Sequence, residues 1–160
     1  MGREDRSSKR THCYFSETEP FWLIGGKRFM SQFNFERWTP TLQSILRMVT
    51  GFLFMEHGLQ KIFGLLGAPE QPPLASQAGV GGMLELVGGG LFLLGLFTRP
   101  VAFILSGMMA VAYFQFHAPH GFWPIVNKGE PAALYCFVFL FFAAAGAGPI
   151  SLDAMLKRKR

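Results

Sequence analysis

Residues 42–66 read LQSILRMVTGFLFMEHGLQKIFGLL, an apolar run interrupted by Arg47, Glu56, His57 and Lys61. A helix of that length crosses a bilayer core roughly 30 Å thick. Ionisable groups at such depth are costly, so they face a protein interior or a water-filled cavity. The stretch therefore predicts a polyhelical membrane protein with a polar interior.

Composition agrees. The 160-residue chain is 50% hydrophobic and only 16% charged, with 18 Phe and 19 Gly, whereas soluble domains carry about 25% charged residues. Mean hydropathy is +0.27 even though the first forty residues are polar. One domain fits the length. The net charge of +5 is not spread along a stripe. Cations gather at Arg3, Arg6, Lys9, Arg10, Lys27, Arg28 and Arg37, and again at Lys157, Arg158, Lys159 and Arg160, leaving Arg47, Lys61, Arg99 and Lys128 between. That is the pattern of cytoplasmic flanks and argues against a nucleic-acid partner. Cys13 and Cys136 are far apart and read as two unpaired thiols.

Residues 1–41 form a polar, basic, cytoplasmic segment expected to be poorly ordered. It lacks the apolar core of a signal peptide, and Met30 offers an alternative translation start. Four transmembrane helices are expected across 42–149, at about 42–66, 79–97, 101–117 and 132–147. Pro72, Pro73 and Pro119 mark the longer loops, and Thr98, Arg99 and Pro100 a very short turn. A basic tail covers 150–160. The fold class is thus all-α, a polytopic four-transmembrane-helix bundle with both termini cytoplasmic, in the cell (inner) membrane. The loop residues Phe122 and Trp123 suit an interfacial aromatic belt.

Helical rise then sets the depth of each polar residue. Lys61 and His57 fall about 8 and 13 Å inside the outer end of the first helix, and Glu85 about 9 Å inside that of the second. His117 ends the third helix, and His120 lies in the loop that follows. Only Arg47 sits towards the cytoplasmic face. Arg47, Thr50, Phe54, His57 and Lys61 share one arc of the first helix, with Glu56 pointing away. Around Glu85, Gly81, Gly82, Gly88 and Gly89 make a glycine face that admits another helix closely. A carboxylate in such a contact needs a base, and Lys61 or His57 is the natural one. The same pair also fits a purely structural role that fixes helix register, and Lys61 near a helix end could snorkel to the headgroups. His57, His117 and His120 lack metal-ligand spacing, so no metal is expected. The run FVFLFF in the last helix reads as packing or lipid-facing surface, with an aromatic quinone slot as the lesser reading.

The fragments LRMVTGFLFMEHGLQK, GGMLELVGGGLFLLGLFTRP, HGFW and GAGPISLD resemble the DoxX family of small four-helix membrane proteins. The resemblance spans about Leu46 to Asp153 and rests on Arg47, Gly51, His57, Gly58, Lys61, Glu85, Gly88, Gly89, Gly95, Thr98, Arg99, His120, Gly121, Gly146, Gly148, Ser151 and Asp153. It implies quinone-linked redox work in the membrane, alongside a membrane or peripheral oxidoreductase partner, and assigns no substrate. The polar N-terminal extension falls outside the family pattern. The sequence shows no second domain such as the soluble subunit of sulfur-oxidising relatives, so thiosulfate oxidation by this chain alone is not expected.

Two functions compete. As a subunit of a redox complex, the chain would use Glu85, His57 and Lys61 for proton exchange and carbonyl hydrogen bonds, Arg47 as an orienting charge, and His117 and His120 as further candidates. The sequence shows no haem-ligand pair, iron–sulfur motif or nucleotide fingerprint, so electrons must come from a partner or from two bound substrates. Quinone is the one cofactor this reading suggests. As a non-catalytic assembly factor or scaffold, the chain would grip another membrane protein, with the polar cluster as an internal clamp. Small-solute transport ranks third, since no internal repeat is visible. A homo-oligomer stays open.

Overall fold

Proline and glycine set the limits of the first long helix. In the computed structural model, which describes residues 35–67 and 71–159, α1 spans Thr39–Phe63. It starts ahead of the expected Leu42 because Pro40 pre-sets helical φ in the first turn. It stops at Gly64, whose φ of 65° is left-handed and whose N–H donates to Gln60 O. The expectations for residues 1–34, among them disorder, a start at Met30 and a free Cys13, lie outside the described residues.

Helix α2 spans Gln77–Leu94; Ser76 Oγ accepts the Gly79 N–H at its start, and Gly95 (φ 69°) ends it. The two glycine stops shift both helices towards the N-terminus of the predicted ranges. Helix α3, Thr98–Ala112, continues through a wider π turn at Tyr113–His117 and a 3₁₀ turn at Ala118–His120. The widening precedes Pro119, which has no N–H to give and whose ring crowds the preceding turn. A short helix α4, Pro124–Asn127, leads to α5, Glu130–Ala145. The expected tail instead carries helix α6, Leu152–Arg158, capped by Ser151.

Among the described residues there are no strands, and four helices have 15 or more residues: α1, α2, α3 and α5. Helices α1 and α2 pack as one pair, α3 and α5 as the other, with α2 against α3 joining them. Two helical stretches, Gln77–Leu94 and Thr98–His120, are long and apolar enough to cross a membrane. Helix α1 carries Arg47, Glu56 and Lys61 and is not among them, and α5 is shorter.

Glycine decides how α1 meets α2. A Cβ at Gly58 would lie 2.4 Å from Leu86 N, one at Gly51 2.7 Å from Leu93 N, and one at Gly89 2.9 Å from Met55 N. The two backbones touch directly, so no side chain larger than hydrogen fits. The expected glycine face is divided in the structure. Gly82 and Gly89 face α1, Gly88 faces Leu105 of α3, and Gly81 faces open space with nothing within 4 Å of a Cβ.

The joint between the pairs is aromatic. Phe54, Phe92, Phe139 and Phe142 are fully buried beside Leu105 and Ala102. Phe139 meets Phe54 and Phe92 edge to face at 4.8 and 5.0 Å, and Phe92 meets Phe142 at 5.1 Å. Each such pair contributes about 1 kcal/mol beyond its buried area. The FVFLFF run thus serves both readings by alternate faces: Phe139 and Phe142 enter the core while Phe137 and Phe141 point outward. Many other large apolar side chains also face out, among them Val87, Phe103, Phe114 and Leu134. Lipid accommodates such a surface, whereas a soluble monomer rarely exposes one.

Candidate functional site

The bundle has a terminal end, where α1 begins and α6 lies, and a distal end carrying the loops after α1 and α3. In the distal half, α1 supplies His57 and Lys61 and α2 supplies Glu85. Lys61 Nζ donates to Glu85 Oε1 at 2.6 Å. Gly82 makes the meeting geometric: its missing Cβ would stand 2.9 Å from Lys61 Cβ, so the lysine stem lies flat against α2. The pair is asymmetric, with the Glu85 side chain 6% exposed and that of Lys61 37%.

Glu85 Oε2 is buried and has no hydrogen-bond partner among the described residues. Buried carboxylate oxygens are normally satisfied, so an unmatched one calls for an explanation. Glu85 lines a cavity of about 390 Å³ whose apolar walls include Phe54, Met108, Met109, Val111 and Phe116. Its polar lining is Lys61, His57, Gln77, His117 and Tyr135. Gly81 belongs to this wall, which is why its face is empty.

The π turn builds the far wall by turning Phe116 and His117 into the cavity. His117 is held there by a hydrogen bond between Nδ1 and Asn127 O at 3.1 Å, and the Tyr113 ring stacks on its imidazole. Asn127 is itself buried. Its amide donates to Gly121 O at 2.8 Å, and its Oδ1 accepts the Gly129 N–H at 2.8 Å. Gln77 Nε2 donates to Gln115 Oε1, tying the start of α2 to the π turn.

The six side chains singled out from the sequence do not converge on one place. His57, Lys61, Glu85 and His117 line the cavity. His57 sits on the exposed rim of the α1 arc rather than within it. His120 turns back on its own chain, with Nδ1 3.0 Å from Phe116 O, and is not part of the wall.

Arg47 occupies a different site. It is 1% exposed and spends its guanidinium on four backbone carbonyls. Nε donates to Ala147 O at 3.0 Å, one terminal nitrogen to Phe92 O and Leu93 O, both at 2.5 Å, and the other to Ile150 O at 2.7 Å. Phe92 and Leu93 lie in the last turn of α2, where carbonyls run out of helical i+4 donors. Gly95 makes room for the guanidinium, since a Cβ there would stand 2.8 Å from Arg47 Cζ. Gln43 donates to Gly146 O and Ser44 Oγ accepts the Ile150 N–H, so α1 holds the whole 146–150 turn. The placement as an orienting charge over a ligand therefore gives way to a structural clamp at the terminal end, because four of the five guanidinium N–H donors are spent on backbone carbonyls.

Asp153 completes that clamp. Its two oxygens accept the Phe97 and Thr98 N–H groups, each at 2.9 Å, and its own N–H donates to Gly95 O. Burial pushes the carboxyl up, yet its hydrogen bonds with Thr98 and Phe97, together with the Lys157 charge, outweigh burial and hold it below the usual aspartate range. The Thr98 hydroxyl acts on the carboxylate from close by without reaching hydrogen-bond geometry.

Sequence reasoning assigned no role to Asp153, Asn127 or the π turn. The seven-residue spacing shared by Gly51–Gly58 and Gly82–Gly89 was a usable signal for the helix contact. Nothing local announces the π turn beyond Pro119.

Fold and site together define a small all-helical membrane protein that holds an acid–base pair against an apolar-walled cavity. The DoxX family model matches residues 42–118, from α1 to the end of the π turn and one residue beyond. A Haemophilus influenzae protein described as uncharacterized is 43% identical over 136 residues, 79% of this chain and 98% of its own length. A second, likewise described, is 31% identical over 74 residues, covering 46% of this chain and 49% of that one. The chain belongs to the DoxX family. No solved structure matches it.

Proposed function

We propose that this protein is the membrane subunit of a quinone-linked oxidoreductase complex and that the distal cavity receives the ring of the quinone. In this reading α1, α2, α3 and α5 cross the cell (inner) membrane, both termini are cytoplasmic, and the cavity opens in the outer half. The observation that carries the proposal is Glu85, which lines an apolar chamber and whose buried Oε2 has no hydrogen-bond partner among the described residues. A quinone ring fits this donor and acceptor set, with apolar walls for its body and a polar end for its oxygens.

When bound, the quinone supplies the two-electron, two-proton chemistry; the chain supplies position and protons. Glu85 Oε2 accepts a hydrogen bond from the reduced ring's hydroxyl. Lys61 stays on Oε1 and keeps the acid charged and oriented. Lys61 is partly exposed, so the protons that reduction takes up can arrive beside it from the distal surface. His57 on the rim and His117 on the opposite wall are the exchange groups nearest the opening. Phe54, Met108 and Met109 exclude water from the inner side. Electrons come from a partner protein that meets the cavity mouth.

The test is extraction. Protein purified in mild detergent should carry close to one quinone per chain, and Glu85→Gln should lose most of it. A quinone-free preparation that co-purifies with another membrane protein would instead favour the scaffold role.

A further inference from the structure

A second cavity lies at the terminal end, where α3 begins beside the turn that follows α5. Its volume is also about 390 Å³, and its lining includes Thr98, Arg99, Gly146, Ser151, Asp153 and Lys157. The carboxylate in it is already committed, with both oxygens accepting backbone N–H groups. Arg99 and Lys157 remain as cations on the rim, both exposed, and Arg99 forms no ion pair among the described residues. The guanidinium of Arg99 lies over Gly146, whose absent Cβ would stand 3.4 Å from Arg99 Nε. Thr98 is fully buried, with its hydroxyl turned to the Asp153 carboxylate. The cavity thus offers two positive side chains.

The surroundings specify what kind of anion fits. Phe97, Pro100 and Ala145 supply an apolar edge to the cavity. Beyond it, Leu94, Phe103 and Ile104 expose apolar side chains along α2 and α3. A ligand seated here has a charged end in the cavity and an apolar body along the helices. Basic pockets between membrane helices on the cytoplasmic side recognise phosphate headgroups in this way.

We propose that this cavity binds the headgroup phosphate of an acidic phospholipid. Arg99 forks onto two phosphate oxygens and Lys157 adds a second charge. The site bridges α3, the turn after α5 and α6, so an occupied cavity also fastens the clamp that Asp153 and Arg47 make there. The proposal depends on the chain being a membrane protein and not on what the distal cavity binds.

Native mass spectrometry of the full chain tests it. The protein is released from nanodiscs containing phosphatidylglycerol and phosphatidylcholine in equal amounts, and the retained lipid is counted. One phosphatidylglycerol per chain should be kept preferentially. Arg99→Gln and Lys157→Gln should each lower that retention about fivefold. Arg158→Gln and Lys159→Gln, outside the cavity lining, should leave it unchanged. Equal retention of the two lipids would overturn the proposal, as would equal losses from tail and cavity variants. Inorganic phosphate protecting the detergent-solubilised protein against heat as well as phosphatidylglycerol would overturn it too, assigning the site to a free anion. Lys157 is exposed near the chain end, so its variant reads binding even if Arg99→Gln fails to fold.

Discussion

Removing Lys61 should cost far more than removing its partner, although both belong to one ion pair. At 2.6 Å and an effective dielectric of about 20, the raw attraction is roughly 6 kcal/mol. Desolvating the carboxylate takes back several kcal/mol, leaving a net coupling of about 1–3 kcal/mol. The two ends differ in exposure, 6% for the Glu85 side chain and 37% for Lys61. Lys61→Met leaves a buried carboxylate with neither oxygen matched and should destabilise by roughly 3 kcal/mol. Glu85→Gln leaves an ammonium that can reach solvent or headgroups, and should cost about 1 kcal/mol. Lys128→Met, in the exposed distal loop, should fall within about 0.5 kcal/mol of wild type. The assay is a double-mutant cycle of Lys61→Met, Glu85→Gln and the combined variant, read by unfolding in detergent. The combined variant should be more stable than Lys61→Met alone, because it removes the stranded charge. Equal losses for Lys61→Met and Lys128→Met, or strict additivity in the cycle, would refute the reasoning.

Other substitutions probe the scaffold. Gly58→Ala places a Cβ 2.4 Å from Leu86 N and should cost about 2–3 kcal/mol by forcing α1 off α2. Gly81→Ala meets nothing within 4 Å and should gain up to about 1 kcal/mol in helix propensity while narrowing the cavity. Thermal unfolding separates the two. Arg47→Lys replaces a planar fork with a single ammonium that cannot serve all four carbonyls, so a loss of about 3 kcal/mol is expected in denaturant titration. Asp153→Ala should cost about 1–2 kcal/mol at neutral pH through loss of the α3 cap. Because the folded carboxyl is held below its ordinary 3.8, its stabilisation is complete above that value and fades as pH falls through the lower folded one. Wild type and Asp153→Ala should therefore converge in strong acid and differ most from mild acid upward.

Pattern and level were legible from sequence. The apolar runs, the Pro and Gly punctuation and the rise per residue placed four helices and brought Lys61 level with Glu85, because helix geometry is local and repeats at every residue. The glycines at 81, 82, 88 and 89 gave a contact face for the same reason. The division of the glycines was not legible, since which neighbour each one meets depends on how α2 sits between α1 and α3.

Arg47 shows where local reading stops. A lone cation on a helix arc looks alike whether it faces a ligand or a ring of carbonyls. Those carbonyls belong to residues 92, 93, 147 and 150, far along the chain. The same holds for Asp153, which caps a helix that starts more than fifty residues earlier. Helix positions, helix lengths and the level of each charge along its helix follow from the amino-acid order because they depend on nearest neighbours. Which charges are spent on the backbone and which are left facing a cavity was decided only when distant segments met, because hydrogen-bond partners are chosen by proximity in space.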